Sequence, residues 1–289
     1  MRRGFPTLEQ SIRVACLFEA TAKKPGNVHP AAAFDDLTYE DFVKSANVIA
    51  PILANARQAG VGQTILEAVQ ATQKLGIGNS NLGIILLLTP LAAVPEHTPL
   101  EVGVQNVLDE LTRDDADWVY RAIRLAHPGG MGKVEAGDVS NQPAGTLLEM
   151  MKLASGRDRI ASEYASGYSI TFEFGVAFLR GVMDFENRWE AAIIELHLRL
   201  MAEFPDTLIA RKCGWKTAEE SARRARDVLE AGSFQDEAFR QKLKDFDRWL
   251  RADGHKRNPG TTADLIAAGL FAAFREGSIR IPSTFATSE

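Results

Sequence analysis

The stretch that decides the fold reads Leu82-Gly83-Ile84-Ile85-Leu86-Leu87-Leu88-Thr89-Pro90-Leu91-Ala92-Ala93-Val94. It carries no charge and is apolar on every side, which is typical of a helix that other helices surround. The stretch is too short to cross a bilayer, which takes about 20 apolar residues. We therefore expect a helix buried in the middle of a globular protein.

Helix signals continue on both sides of this stretch. Two pairs, Thr7 with Gln10 and Thr38 with Asp41, have the spacing of a capping box. Thr98-Pro99 predicts a cap followed by a helix that begins at the proline. Alternating runs of β-branched residues are missing, so we predict an all-α fold, a bundle of about ten or more helices in one domain spanning 1–289. In addition to the central helix, apolar residues at helical spacing mark five further helices, around 65–72, 118–126, 189–200, 239–250 and 263–270.

Composition excludes several classes of protein. The 289 residues include 45% hydrophobic and 25% charged residues, and the 33 Lys plus Arg against 38 Asp plus Glu leave a net charge of −5. This apolar content is enough for a core, and the mild acidity argues against a nucleic-acid partner. Cys16 and Cys213 are expected to be buried thiols in a reducing compartment. No signal peptide or membrane span is indicated, so we expect a cytoplasmic protein.

Two loops in the first third of the chain carry unusual polar residues. The first loop, 23–36, combines lysines suited to phosphate with carboxylates suited to Mg²⁺. The second loop, 76–83, places an Asn-Ser-Asn run at the start of the buried helix, where one residue is enough for a cap. Solvated turns and a plain helix cap are the alternatives. The candidate residues are Lys24, Asn27, His29, Asp35, Asp36, Asn79, Ser80 and Asn81.

Two later loops add glycines and acids. The third loop, 129–143, is the longest irregular segment expected and holds Lys133, Glu135 and Asp138. It lacks the glycine and the hydroxyl residue that a P-loop requires. The fourth loop, 258–265, is Asn-Pro-Gly-Thr-Thr-Ala-Asp-Leu, where Thr261 or Thr262 would cap the last helix. Asp264 then lies in the first turn, either as a partner of the helix dipole or as a ligand or base.

Taken in order, these segments resemble the triphosphoribosyl-dephospho-CoA synthase family. The resemblance rests on Lys24-Pro25-Gly26, Asp36-Leu37 before Phe42, 79–83, 134–136, 206–211 and 259–265, and it spans residues 12 to 274. It implies an all-α transferase in which the 2′-hydroxyl of dephospho-CoA attacks the anomeric carbon of ATP and adenine leaves. ATP would be a substrate and Mg²⁺ a cofactor.

The resemblance also implies site roles. The catalytic candidates are Asp36, Glu135 and Asp264. A metal site would use Asp35, Asp36 and Asp138. The substrate and its phosphates would be bound by Lys24, Asn27, His29, Asn79, Ser80, Asn81, Lys133 and Arg211. We expect all four loops to meet in one cleft.

The family's His-Lys pair in the second loop is Asn81-Leu82 here. This difference leaves other acceptors open, for instance in the biosynthesis of a methanopterin-like cofactor with a phosphoribosyl-type donor. A hydrolase of N-glycosidic bonds and a non-catalytic helical binding protein are two further alternatives.

Overall fold

The computed structural model describes residues 6–77, 81–132, 137–282 and 285. In this part of the chain the structure is helical, and the only β pairing is an isolated bridge between His29 and Ala32. The predicted all-α class is therefore confirmed, while the single-domain organisation stays a prediction. A π-helix spans Ile170–Val176. The α-helices of the described residues are α1 Leu8–Thr21, α2 Tyr39–Leu53, α3 Ala56–Ala59, α4 Val61–Gln73, α5 Leu82–Ala93, α6 Leu100–Asp109, α7 Arg113–Ala126, α8 Leu147–Ala154, α9 Arg159–Ser166, α10 Ala177–Gly181, α11 Phe185–Glu203, α12 Thr207–Cys213, α13 Trp215–Glu230, α14 Glu237–Arg251 and α15 Gly260–Arg275.

The predicted central helix is α5. Every residue of α5 except Gly83 is buried, and the helix packs against α2, α3, α4, α6, α9 and α15. The last helix, α15, is almost equally buried, and the two helices form the middle of the larger apolar cluster. A second apolar cluster joins α11 to α12, α13 and α14. No described helix has both the length and the apolar content needed to cross a membrane.

A proline interrupts the hydrogen bonding of α5. Pro90 has no N–H, so the carbonyl of Leu86, four residues earlier, lacks its helical donor. The hydroxyl of Tyr164 donates to this carbonyl at 2.6 Å, and the hydroxyl of Tyr168 donates to the carbonyl of Leu87 at 2.9 Å. Both tyrosines are fully buried, with 1% and 0% exposure. Since a buried carbonyl without a partner is costly, the Tyr164 hydroxyl compensates for the donor that Pro90 removes from this core helix.

Several helix ends lie where the sequence predicts them, and three details differ from the predictions. Both predicted capping boxes are present, at Thr7 and at Thr38. The helix expected to begin at Pro99 begins at Leu100, with Pro99 as its N-cap. Neither Thr261 nor Thr262 caps α15, because the helix already begins at Gly260 and both threonines lie in its first turn. Cys213 is only half-buried, whereas Cys16 is buried as expected.

Candidate active site

A cleft of about 480 Å³ lies where the four loops meet. It is lined by Asn27 of the first loop, Asn81 of the second, Asp138 of the third and Asp264 of the fourth. Helices α7 and α8 supply an apolar wall that includes the side chains of Met150 and its neighbours. Each of the four loops therefore contributes at least one described residue to this cavity.

Asp264 is one turn into α15, and its carboxylate faces the start of α5. A Cβ atom placed on Gly83 would lie 2.0 Å from Oδ2 of Asp264, so only glycine leaves room for the carboxylate. Among the described residues, none donates a hydrogen bond to this carboxylate. Burial raises the pKa of Asp264 well above its usual range, and the nearby Glu19 and Asp206 raise it further. A cleft carboxylate with a raised pKa is typical of a group that exchanges a proton with a substrate.

The neighbouring acids differ from Asp264 because each has a partner. Glu19 forms an ion pair with Lys24 at 2.9 Å, with both side chains buried. The Oδ2 atom of Asp158 accepts from Nη1 of Arg211 at 3.0 Å, while its Oδ1 atom accepts from the first turn of α9. These partners hold the surrounding charges in place. Glu19 and Asp158 thus each have a cationic partner, whereas no described side chain forms an ion pair with Asp264.

Asp206 joins two helix starts. Its Oδ1 atom accepts from the backbone N–H groups of Leu208 and Ile209 at 2.8 and 3.0 Å, which caps α12. Its Oδ2 atom accepts from the N–H and the hydroxyl of Thr262, both at 2.8 Å, in the first turn of α15. Thr207 adds a hydroxyl contact of 3.2 Å to Thr261. This buried carboxylate therefore orients the turn that leads to Asp264.

Three helices begin at the cleft. Asn81 is the N-cap of α5, Asp158 is the N-cap of α9 and Gly260 is the first residue of α15, and all three line the cavity. The N-terminal end of a helix carries partial positive charge and unpaired N–H groups. The three helix starts therefore add partial positive charge to a cleft that also contains acids.

With this geometry in view, comparisons with known proteins identify the chain's relatives. The sequence matches the model of the family of ATP:dephospho-CoA triphosphoribosyl transferases over residues 6–281. The chain belongs to this family. A solved structure from Archaeoglobus fulgidus, described as a triphosphoribosyl-dephospho-CoA synthase, has 27% sequence identity and a TM-score of 0.64. That match covers 81% of this chain and 99% of the other chain. The search of the curated proteins finds no match.

The family assignment confirms the predicted resemblance and the predicted class of enzyme, a transferase. The structure shows where the two second-loop residues that differ from the family's His-Lys pair lie. Asn81, in place of the family's His, is buried at 6% exposure and its amide donates to the hydroxyl of Ser45. Leu82 occupies the position of the family's Lys and lines the cleft. The transferase cleft therefore lacks a cation at this point and gains an apolar surface.

Two residues predicted to bind the substrate lie elsewhere. Lys24 has 0% exposure and does not line the cleft, since its ammonium is paired with the carboxylate of Glu19 and bonded to the backbone of α1. A phosphate would have to displace this buried pair. His29 also lies outside the lining, where its Nδ1 atom accepts from the N–H of Ala31. Burial, followed by the charge of Arg251, lowers the pKa of His29 to about 4, which keeps the ring neutral.

Asn27 reaches the cleft from a turn that α14 holds in place. The Oδ1 atom of Asp247 accepts from the N–H of Gly26 at 2.8 Å, and Nη2 of Arg251 donates to the carbonyl of Asn27 at 2.6 Å. Gly26 has a φ of +77°, which disfavours any other residue at this turn. The Asn27 amide then donates to Asn258 at 2.8 Å, while its Oδ1 atom is buried with no protein partner among the described residues. Such an acceptor is suited to a hydroxyl or amino group of a ligand.

The predicted metal set is not a cluster. Asp35 and Asp36 are exposed, neither lines the cleft, and Asp36 lies 3.6 Å from the ring of His255. Asp138 does line the cleft, and its Oδ1 atom accepts from the N–H and the hydroxyl of Ser140. Within the described ranges no three His, Cys, Asp or Glu side chains are grouped so as to hold a metal ion. The three-carboxylate site was therefore wrong, because Asp35 and Asp36 do not line the cavity, although their neighbours Phe34 and Leu37 do.

Four predicted site residues, Asn79, Ser80, Lys133 and Glu135, lie outside the described residues. Their roles stay predictions. Arg211 is placed as expected at the cleft, although its guanidinium already donates to Asp158 and to the carbonyl of Gly129 at 3.1 Å.

Three site residues were missed by the sequence analysis. Glu19 follows Ile12, Ala15 and Cys16 on the apolar face of α1, and an acid at that helical position was a signal of a buried, paired carboxylate. Asp158 was indistinguishable from an ordinary helix cap. Lys212 follows Arg211 directly and lines the cleft, and only the fold shows that the side chain reaches it.

Proposed function

We propose that this cleft transfers the triphosphoribosyl group of ATP to the 2′-hydroxyl of dephospho-CoA and releases adenine. The observation that carries the proposal is Asp264, an acid with a raised pKa and no described donor, set among helix starts that favour phosphate. The family to which the chain belongs gives the two substrates.

The proposed transfer needs one group that first accepts a proton from the acceptor hydroxyl and then donates it to adenine. The 2′-oxygen of the acceptor bonds to the anomeric carbon of ATP as the bond from that carbon to N9 of adenine breaks. The hydroxyl proton passes to the carboxylate of Asp264 and then to the departing adenine, so the carboxylate ends as it began. The raised pKa of Asp264 makes its carboxylate a stronger base than an ordinary aspartate. Its negative charge would also stabilise the oxocarbenium-like centre, as carboxylates do in glycoside cleavage.

Other cleft residues would orient the substrates. The buried Oδ1 atom of Asn27 would accept from a ribose hydroxyl or an adenine amino group. The guanidinium of Arg211, held by Asp158 and Gly129, would present its other N–H groups to the triphosphate. The starts of α5, α9 and α15 would add partial positive charge.

A magnesium ion would accompany the triphosphate. Mg²⁺ is commonly held by one or two carboxylates together with the substrate phosphates and water. Asp138 fits this role as the member of the predicted metal set that lines the cleft and presents hard oxygen donors. The ion would neutralise phosphate charge. Since ATP and dephospho-CoA are intracellular metabolites, we place this reaction in the cytoplasm.

The test is to incubate the protein with ATP, Mg²⁺ and dephospho-CoA and to measure free adenine and the coupled product by chromatography. We expect one adenine for each product. Asp264→Asn keeps the shape of the side chain but removes the base, and it should lower kcat by about 10²- to 10⁴-fold. Asp253→Asn, a change at an exposed acid on the C-terminal side of α14, serves as the matched control.

Three control reactions separate the alternatives. Adenine released without dephospho-CoA would indicate a hydrolase instead of a transferase. Consumption of phosphoribosyl pyrophosphate in place of ATP would indicate a different donor. If neither donor is consumed, or if Asp264→Asn is as active as the wild type, the proposal is wrong.

A further inference from the structure

A lysine and a tryptophan that are close in sequence both line the cleft. α12 ends at Cys213 and α13 begins at Trp215, with Gly214 between them at a φ of +87°. Lys212 and Trp215, on either side of this junction, both line the cleft. Three residues of chain span at most about 11 Å, so the two side chains are within reach of one small ligand.

Lys212 differs from the other cations of the cleft. The other two basic side chains in the described lining have protein acceptors: Arg211 bonds Asp158 and Gly129, and Arg157 bonds the carbonyl of Leu153. Lys212 has no hydrogen bond or ion pair with any described residue. Its stem packs over Gly129, where an added Cβ atom would lie 3.0 Å from Cε. The ammonium is therefore directed by packing and is available to a ligand.

Trp215 is unusual because its indole is exposed. In the described part of the chain six large apolar side chains are exposed, and two of them, Trp215 and Met131, line this cleft at 45% exposure each. An aromatic ring stacks on any nucleobase, and the contact is independent of the base's hydrogen bonds. An indole and an unpaired ammonium that line one cavity therefore match the two parts of a nucleotide, the base and the phosphate.

We propose that Lys212 and Trp215 form a nucleotide subsite in which the indole stacks on an adenine ring and the ammonium binds a phosphate of the same nucleotide. This inference rests on the proposed function, since ATP and dephospho-CoA both carry adenine and phosphate. The two substrates share the chemistry that the subsite recognises, and separate titrations of each distinguish them.

The experiment measures binding and turnover separately. Isothermal titration calorimetry gives the Kd of each nucleotide, and adenine release gives KM for ATP and for dephospho-CoA. The variants are Trp215→Ala, Trp215→Phe, Lys212→Ala and Lys212→Arg. Matched controls are Met183→Ala, an exposed apolar side chain away from the cleft, and Lys216→Ala, an exposed lysine that does not line it.

The expected result is selective weakening of one nucleotide. Trp215→Ala should raise Kd and KM for it by about 5- to 100-fold with kcat little changed, and Trp215→Phe should restore most of the affinity. Lys212→Ala should weaken the same nucleotide and reduce the salt dependence of its binding, whereas Lys212→Arg should retain it.

Two results with the variants would overturn the subsite. One is that both alanine variants bind ATP and dephospho-CoA as the two controls do. The other is that Trp215→Ala and Lys212→Ala weaken different nucleotides, which would contradict a single subsite. A wild type that binds nucleotide but releases no adenine would reject the proposed function alone, because the Kd values still test the subsite. A wild type that binds neither nucleotide would reject both.

Discussion

Gly83→Ala should disable the cleft without unfolding the protein. An added Cβ atom would lie 2.0 Å from Oδ2 of Asp264, and real Cβ contacts essentially never fall below 3.0 Å. The carboxylate must therefore move by about 1 Å, a displacement of a reacting group that costs about 100-fold in rate. The helix itself should gain, since alanine is favoured over glycine in a helix by about 0.5–1 kcal/mol. We expect kcat for adenine release to fall by about two orders of magnitude while the helical signal is kept.

The assay compares initial rates of adenine release with circular dichroism during urea unfolding. Gly181→Ala is the matched control, because this helical glycine has no heavy atom within 4 Å of the added Cβ position, and it should keep wild-type kcat. In an Asp264→Asn background, Gly83→Ala should cause little further loss, since both changes act on one group. A folded Gly83→Ala protein with wild-type kcat would show that the position of the Asp264 carboxylate does not limit the reaction.

Three further outcomes follow from the buried polar groups. Tyr164→Phe should lower the free energy of unfolding in urea by about 1–3 kcal/mol, and by less in a Pro90→Ala background, where the helix regains its own donor for the Leu86 carbonyl. Burial raises the pKa of Asp264, so the folded state holds this proton more tightly than the unfolded state does; stability should fall as the pH rises from the unfolded to the folded pKa, and Asp264→Asn should flatten that part of a urea-unfolding pH series. Lys24→Met should lower the unfolding free energy by about 3–5 kcal/mol, because it leaves a buried carboxylate unpaired; a loss below 1 kcal/mol in chemical denaturation would contradict the buried ion pair.

The helices were predictable because their signals are local. The capping boxes at Thr7 and Thr38 and the apolar run of α5 each depend on residues within one or two turns. The start of α15 was not predictable in the same way. Threonine commonly caps helices, but the N–H and the hydroxyl of Thr262 donate to Asp206, 56 residues earlier. A long-range carboxylate replaced the local cap, and spacing along the chain carries no signal of such a contact.

The sequence predicted which loops form the site, but it did not predict the role of each residue in them. Lysine and phosphate are a natural pair, but the ammonium of Lys24 is buried and paired with Glu19 of α1. Adjacent carboxylates suggest a metal, but Asp35 and Asp36 remain on the surface outside the cavity. In both cases the sequence indicates the chemistry of the side chain but not where the side chain points. The orientation of these side chains depends on packing against α14 and α1, and these contacts join distant parts of the sequence.

The ion pairs of Glu19 and Asp158 distinguish these acids from Asp264, the acid proposed as the base. If Glu19 and Asp158 had no cations, their charges would raise the pKa of Asp264 still further and oppose the binding of any phosphate. Lys24 and Arg211 offset part of that repulsion at short range, and the two capping interactions of Asp206 spread its charge over four hydrogen bonds. Asp264 thus keeps a raised pKa from burial while the cleft as a whole can still accept an anion. A base strong enough to take a hydroxyl proton and a pocket able to hold a triphosphate are opposing electrostatic demands, and a separate partner for each neighbouring acid satisfies both.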